Sequence, residues 1–247
     1  MIETGGIVDL TIESERENKG NKMKIDINFD IRTDSNGGDP DSRSKTLRNY
    51  HRIMWSKKLP NGNTLYLDEK LNGNDGILYS SDSISHSFSK WEKYKHIIKE
   101  VPSQEIEDFI TKGSTIGGYI IFPKNKINGY QNINMARGCN QKIKDRIDLT
   151  LECIKRYYNN QPSPLSKCFN NYSSFFDLFV DFKGYVDFFL LNDLVSDNYK
   201  EIKFLHPFTE FGDGNVLPKT VEEYLEYKKR TMTFIDNRNR RIDEMYN

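Results

Sequence analysis

The segment Ile116–Phe122, IGGYIIF, constrains this chain more than any other. It is β-branched and aromatic, and Pro123 closes it because proline cannot donate into a strand ladder. Its near-continuous apolar character predicts a central strand buried on both faces, and so an interior sheet covered by helices. Gly117 and Gly118 weaken a strand and mark a bulge or a close approach by another backbone or a ligand. Downstream, Ile143, Ile147, Leu151, Ile154 and Tyr158 recur at spacings of three and four, which predicts a long helix with one core-facing stripe. On the same helix Asp145, Asp148, Glu152 and Arg156 fall on a second line. A charged helix face is ordinarily solvated, and that is the expectation for this stripe as a whole. Glu152 is the exception, because it sits within the apolar run LTLECI, where a carboxylate needs a partner.

The other elements follow from period and punctuation. Lys24–Arg32, KIDINFDIR, alternates apolar and polar residues and predicts a half-buried strand. The Asn61-Gly62 turn and a second turn at 72–76 predict further strands at 64–68 and 77–80. The loop TDSNGGDPDS only faintly resembles a calcium loop, since its acidic spacing does not fit an EF-hand. Ser42 or Ser44 caps a helix through Leu47, Tyr50, His51, Met54 and Trp55. Further helices are expected over 91–100, over 103–113, and from a Pro218/Thr220/Glu223 capping box onward. The aromatic run 172–195 reads as core, broken into two segments at Gly184, and 202–205 as an edge strand. The class is α+β, a mixed or antiparallel sheet covered by helices with a helical C-terminal half. Residues 1–21 are charged and aperiodic and are expected to be a disordered lead to one domain over 22–247.

Composition narrows the function classes. Formal net charge is zero, so no global field draws the chain to nucleic acid or membrane, and any nucleic-acid site must be a local patch. Three cysteines without a C-x-x-C spacing indicate neither a disulfide framework nor a zinc site. No apolar signal segment opens the chain and no run is long enough for a span, so a cytoplasmic protein without membrane contact is expected.

Helix 43–57 sets Arg43, Lys45, Arg48 and Arg52 among aromatics, a combination that can hold phosphates and stack a base. Tyr50 is the stacking candidate on this helix, although Tyr50 and Trp55 read first as core and the basic groups as solvated. His51 reads first as a structural histidine and is also the candidate acid–base group beside Glu152. His86 stands between serines, in what reads as an exposed loop rather than a polar pocket.

FDIRTD, DPDSRSKTLRNYHRIMWSKKLPNG, TIGGYIIFP, NMARGCN, DRIDLTLECIKRYY, FKGYVDFFLL and FIDNRNRRI resemble a widespread bacterial family of uncharacterised proteins. The resemblance runs from Phe29 to Ile242 and carries no activity with it. A second resemblance is to ADP-ribosyltransferases, in which an early Arg or His, a Ser-Thr strand start and a catalytic Glu follow in chain order. Here these are Arg32, Ser114 with Thr115, and Glu152, with Arg137 as a further phosphate ligand. The resemblance implies NAD as cofactor, a nucleic acid or protein as acceptor, and a toxin or defence role, and the sequence indicates no metal. The chain departs from that pattern, since the family's Glu lies at a strand whereas Glu152 is expected mid-helix. Two other readings stay open. One is a nucleic-acid binder or nuclease using helix 43–57 and the Arg137/Arg146 region. The other is a non-catalytic partner-binding protein using the Phe-rich segment.

Overall fold

The computed structural model describes residues 24–127, 129 and 131–247. The expected lead over 1–21 lies outside the described residues. The architecture is α+β. Strand β1, Tyr79–Ser83, pairs antiparallel with β2, Tyr119–Pro123, in a register that sets Ser81 opposite Ile121. Every residue of β2 is buried, as its apolar run requires.

Around this ribbon lie the one-turn helix α1, Pro40–Arg43, then α2, Lys45–Trp55, and α3, Ser103–Gly113. They are followed by α4, Ile133–Cys139, α5, Ile147–Tyr158, α6, Phe182–Phe188, and α7, Val221–Tyr246. Ser44 caps α2 by accepting from Leu47 N–H at 2.9 Å. Thr220 caps α7 by accepting from Glu223 N–H, and Glu223 Oε2 accepts from Lys219 N–H, one residue before the cap.

Helix α7 spans 26 residues, about 39 Å at 1.5 Å per residue. Tyr224, Tyr227, Thr231, Phe234, Ile235, Arg238, Asn239 and Ile242 form its buried stripe. It meets the turn Ile116–Gly118 that leads into β2. Asn239 Oδ1 accepts from Gly117 N–H at 2.7 Å, and Arg238 Nη1 donates to the carbonyls of Gly117 and Tyr119 at 2.8 and 2.6 Å. A Cβ on Gly117 would stand 2.8 Å from the Ile235 carbonyl, so the paired glycines do serve a close backbone approach. The chain's described ends also meet, since Asn247 bonds both N–H and C=O of Ile25 through its side chain.

Several expected elements differ. Residues 24–32 form no strand: Asp26 closes a turn on Asn28 and Phe29, and Asp30 caps a 3-10 turn over Ile31–Asp34. The regions 64–68 and 77–80 contribute isolated bridges, with only Tyr79 and Ser80 of them in β1, and Ile116–Gly118 is a 3-10 turn rather than strand. Val195 and Ile202 form one bridge in place of an edge strand. Segment 91–100 is two short turns of helix, Glu92–Tyr94 and Lys95–Ile98. The long helix begins at Ile147, so Asp145 lies outside it, and Asp148 and Glu152 are buried rather than solvated. Gly184 lies within α6; the break falls at Val180, with φ of 70°, followed by the capping Asp181. The Phe-rich segment is core: Phe175, Phe179 and Phe189 are each about 1% exposed, which leaves the partner-binding reading without its residues. Among the described residues no helix is long and apolar enough to cross a membrane.

Candidate active site

The pleat of β1 sorts its side chains onto two faces. Ser80 and Asp82 meet α4, where Asn134 Nδ2 donates to Ser80 Oγ at 3.2 Å and Arg137 Nη1 bonds Asp82 Oδ2. Ser81 turns towards α2, with its Oγ 2.9 Å from His51 Nε2. His51 Nδ1 accepts from Trp55 Nε1–H at 3.0 Å. Indole only donates, so neutral His51 carries its proton on Nε2 and gives that bond to Ser81. Complete burial, and then Arg238, push the His51 pKa down to about 3.

Asp41 reaches the same region from α1. Burial pushes its pKa up to about 6, repulsion from Asp39 adds to this, and the Ser81 hydroxyl works the other way. Its Oδ1 has no hydrogen-bond partner among the described residues. His86 follows β1, and its Nε2 lies 3.0 Å from Asp145 Oδ2. Asp145 and the preceding Lys144 both hold left-handed backbone, with φ of 62° and 50°. Phe88, beside His86, does so at 58°. Such conformations cost on the order of 1 kcal/mol each and persist where the surroundings impose them.

Arg137 ties the cluster together from beneath. It is fully buried, donates Nε to Thr150 Oγ1 at 2.9 Å, and pairs with both Asp82 and Asp145. Burial works against the charge on Asp145, but Arg137 and His86 outweigh it and hold the carboxyl below its usual value. At Asp82 burial prevails over Arg137, and the pKa rises to about 7. Asp145 is therefore an ionised acceptor, which fixes the His86 proton on Nε2 and leaves Nδ1 as the basic nitrogen.

A cavity of about 350 Å³ opens over this cluster. Asp41 and His86 line it, with the serines at 83, 85, 87 and 89, the rings of Trp91 and Tyr119, and the cations Arg32 and Lys90. Carboxyls of displaced pKa beside an oriented imidazole in a cleft are the usual surroundings of acid–base chemistry.

Of the residues singled out in the sequence, Arg32 and Ser114 come together here. Arg32 is half-buried and paired with Asp30 at 2.5 Å and Glu107 at 3.0 Å; Ser114 donates to the Ile110 carbonyl. Thr115 is buried behind them and bonded to Asn239. Glu152 does not line the cavity, and its oxygens are taken by Lys155 at 2.7 Å and Arg156 at 2.8 Å. Arg137 and Arg146 are interior, their donors committed to Asp82, Asp145, Asp148 and backbone carbonyls, so neither is placed to meet an incoming phosphate. Tyr50 is core, and its hydroxyl accepts from Asp26 N–H. His51 is a satisfied interior histidine, one bond behind Ser81. His86 is in a cleft and not in an exposed loop. Asp41, Asp82, His86 and Asp145 were not assembled by sequence reasoning: Asp41 was noted only in an acidic loop, Asp145 only on a helix stripe, and the serine-flanked His86 only as a loop residue.

Fold and site together describe an α+β protein with a buried charge cluster beneath a cleft lined by Asp41 and His86. Residues 25–242 match the model of a family of unknown function (DUF6994), and the chain belongs to that family. No curated protein and no solved structure matches it significantly.

Proposed function

We propose that the chain is an enzyme that cleaves or transfers the ribosyl group of an anionic nucleotide, with NAD the first substrate to test and a macromolecule as acceptor. The observation that carries this reading is Asp41, a carboxyl with an unpartnered oxygen and a pKa near 6, in one cleft with a carboxylate-fixed histidine. The cleft's size suits the ribosyl-nicotinamide end of a dinucleotide, with the remainder along the rim.

The chemistry asks for few groups. Nicotinamide departs neutral from C1′ with the electron pair of the broken C–N bond, so it needs no acid. The oxocarbenium-like ribose that develops needs a nearby negative charge, which ionised Asp41 supplies above about pH 6. His86 Nδ1 takes the proton of the attacking hydroxyl as the new C1′–O bond forms, and Asp145 steadies the resulting imidazolium. Serine hydroxyls meet the ribose, Trp91 stacks a base, and Lys90 faces the diphosphate. In this reading Asp41 takes the part that sequence order gave to Glu152.

The test is NAD consumption by the purified protein, with free nicotinamide as product. Asp41→Asn and His86→Gln should each lower turnover by about 10²-fold or more, and activity should rise through about pH 6. Wild-type protein that consumes no NAD, or an Asp41→Asn variant of full activity, sinks the reading.

A further inference from the structure

A second cavity, of about 410 Å³, lies beside the first and differs from it in charge. Lys93, His96, Lys144 and Lys219 line it together with Tyr94, and no Asp or Glu does. The nearby Lys95 and Lys99 are paired with Glu92 and Glu100, whereas Lys93, Lys144 and Lys219 form no ion pair among the described residues. Lys93 and Lys144 line the same cavity, and burial, and after it the charge of Lys144, lowers the Lys93 pKa. Such crowding costs free energy in the empty protein and is relieved when an anion arrives.

The two cavities share structure. Lys93 Nζ lies 4.8 Å from the ring centre of Trp91 and 5.5 Å from that of Tyr94. Trp91 lines the first cavity and Tyr94 the second. On the facing segment, the left-handed pair Lys144–Asp145 sends one side chain to the basic groove and the next to His86.

We propose that this groove binds the phosphate backbone of a single-stranded nucleic acid and leads it to the cleft. A single small phosphate is best held by an arginine fork, and no arginine is among the lining residues. Lysines spread over three chain segments suit the repeated phosphates of a strand instead. A duplex is too broad to enter a cavity of this size. The binding stands without the chemistry of the cleft. Only the strand's role as acceptor rests on the ribosyl-transfer reading.

The experiment is fluorescence anisotropy of a labelled single-stranded RNA of about twelve nucleotides, titrated with full-length protein between about 50 and 200 mM salt in the absence of NAD. The affinity should fall steeply with salt. The K93E/K144E double variant should weaken it by about tenfold or more and flatten the log–log salt slope by about 0.7 for each phosphate that is no longer neutralised. Lys93→Arg should retain binding, and a melting curve confirms that each variant is folded. Absence of binding at low salt, or equal binding by a folded double variant, overturns the proposal. So does inorganic polyphosphate competing as well as unlabelled RNA, because that would reveal a general polyanion site. Since the readout contains no NAD, failure of the ribosyl-transfer reading leaves this result interpretable.

Discussion

His51 donates to Ser81, accepts from Trp55, and feels the charge of Arg238 rather than that of a carboxylate. Its folded-state pKa of about 3 lies below the ordinary 6.5, so between these values the unfolded chain binds the extra proton. The stabilisation from a neutral His51 is whole above pH 6.5 and is lost as pH falls towards 3, at up to about 1.4 kcal/mol per pH unit. His51→Gln keeps an acceptor for Trp55 and a donor for Ser81 without titrating. Urea unfolding at pH 7 and pH 5 should show the wild type losing about 2 kcal/mol more than the variant. Equal losses would mean that His51 is not held neutral. Sequence reasoning favoured a structural role for this residue and kept it as an acid–base candidate; the donor-only indole one turn away occupies its Nδ1. Asp41, His86 and Asp145 were less legible. They come from segments separated by dozens of residues, and a carboxyl's pKa is set by neighbours that only the tertiary fold brings near.

Among the elements, α7 and the glycine turn before β2 have to be formed together. Gly117→Ala would set a methyl group 2.5 Å from Asn239 Oδ1 and 2.8 Å from the Ile235 carbonyl, forcing helix and turn apart. A loss of about 1–3 kcal/mol is expected. Gly138→Ala is the contrast, because within α4 its new methyl meets only an Asp145 oxygen at 3.8 Å, and there alanine should stabilise by up to about 1 kcal/mol. Similar effects at the two sites in chemical denaturation would refute the close-approach account. The glycine pair was legible in part, since a close backbone approach was one of the uses expected there, while the strand expected over it is a 3-10 turn. The alternation at 24–32 misled because period alone does not register competition from aspartates. Asp26 and Asp30 offer the backbone local partners, and the chain turns where a ladder was expected. Asp145 misled likewise, since helical spacing carried the pattern back across a left-handed residue.

Over the whole molecule, aromatic residues supply the interior that a modest aliphatic content does not. Phe175, Phe176, Phe179, Tyr185, Phe188 and Phe189 interlock with Trp55 at ring-centre separations of about 5 to 6 Å. The larger exposed apolar side chains, such as Tyr66, Val180 and Met245, are spread along the chain. A hydrophobic dye should therefore remain dark with native protein and brighten only through the unfolding transition; strong binding before it would reveal an apolar surface that this packing lacks. The α+β class, the helical C-terminal half and the aromatic core were all legible at this scale, because they depend on summed pattern rather than on any one long-range contact.

The same packing gives the molecule two optical reporters. Of its two tryptophans, Trp55 is wholly enclosed by that aromatic interior, while Trp91 lines the cleft. Under ultraviolet excitation the first emits according to whether the protein is intact, and the second according to whether its cleft is filled. A change in emission on adding NAD that vanishes in Trp91→Phe would report occupancy directly, and the Trp55 signal left in that variant would follow unfolding without a label.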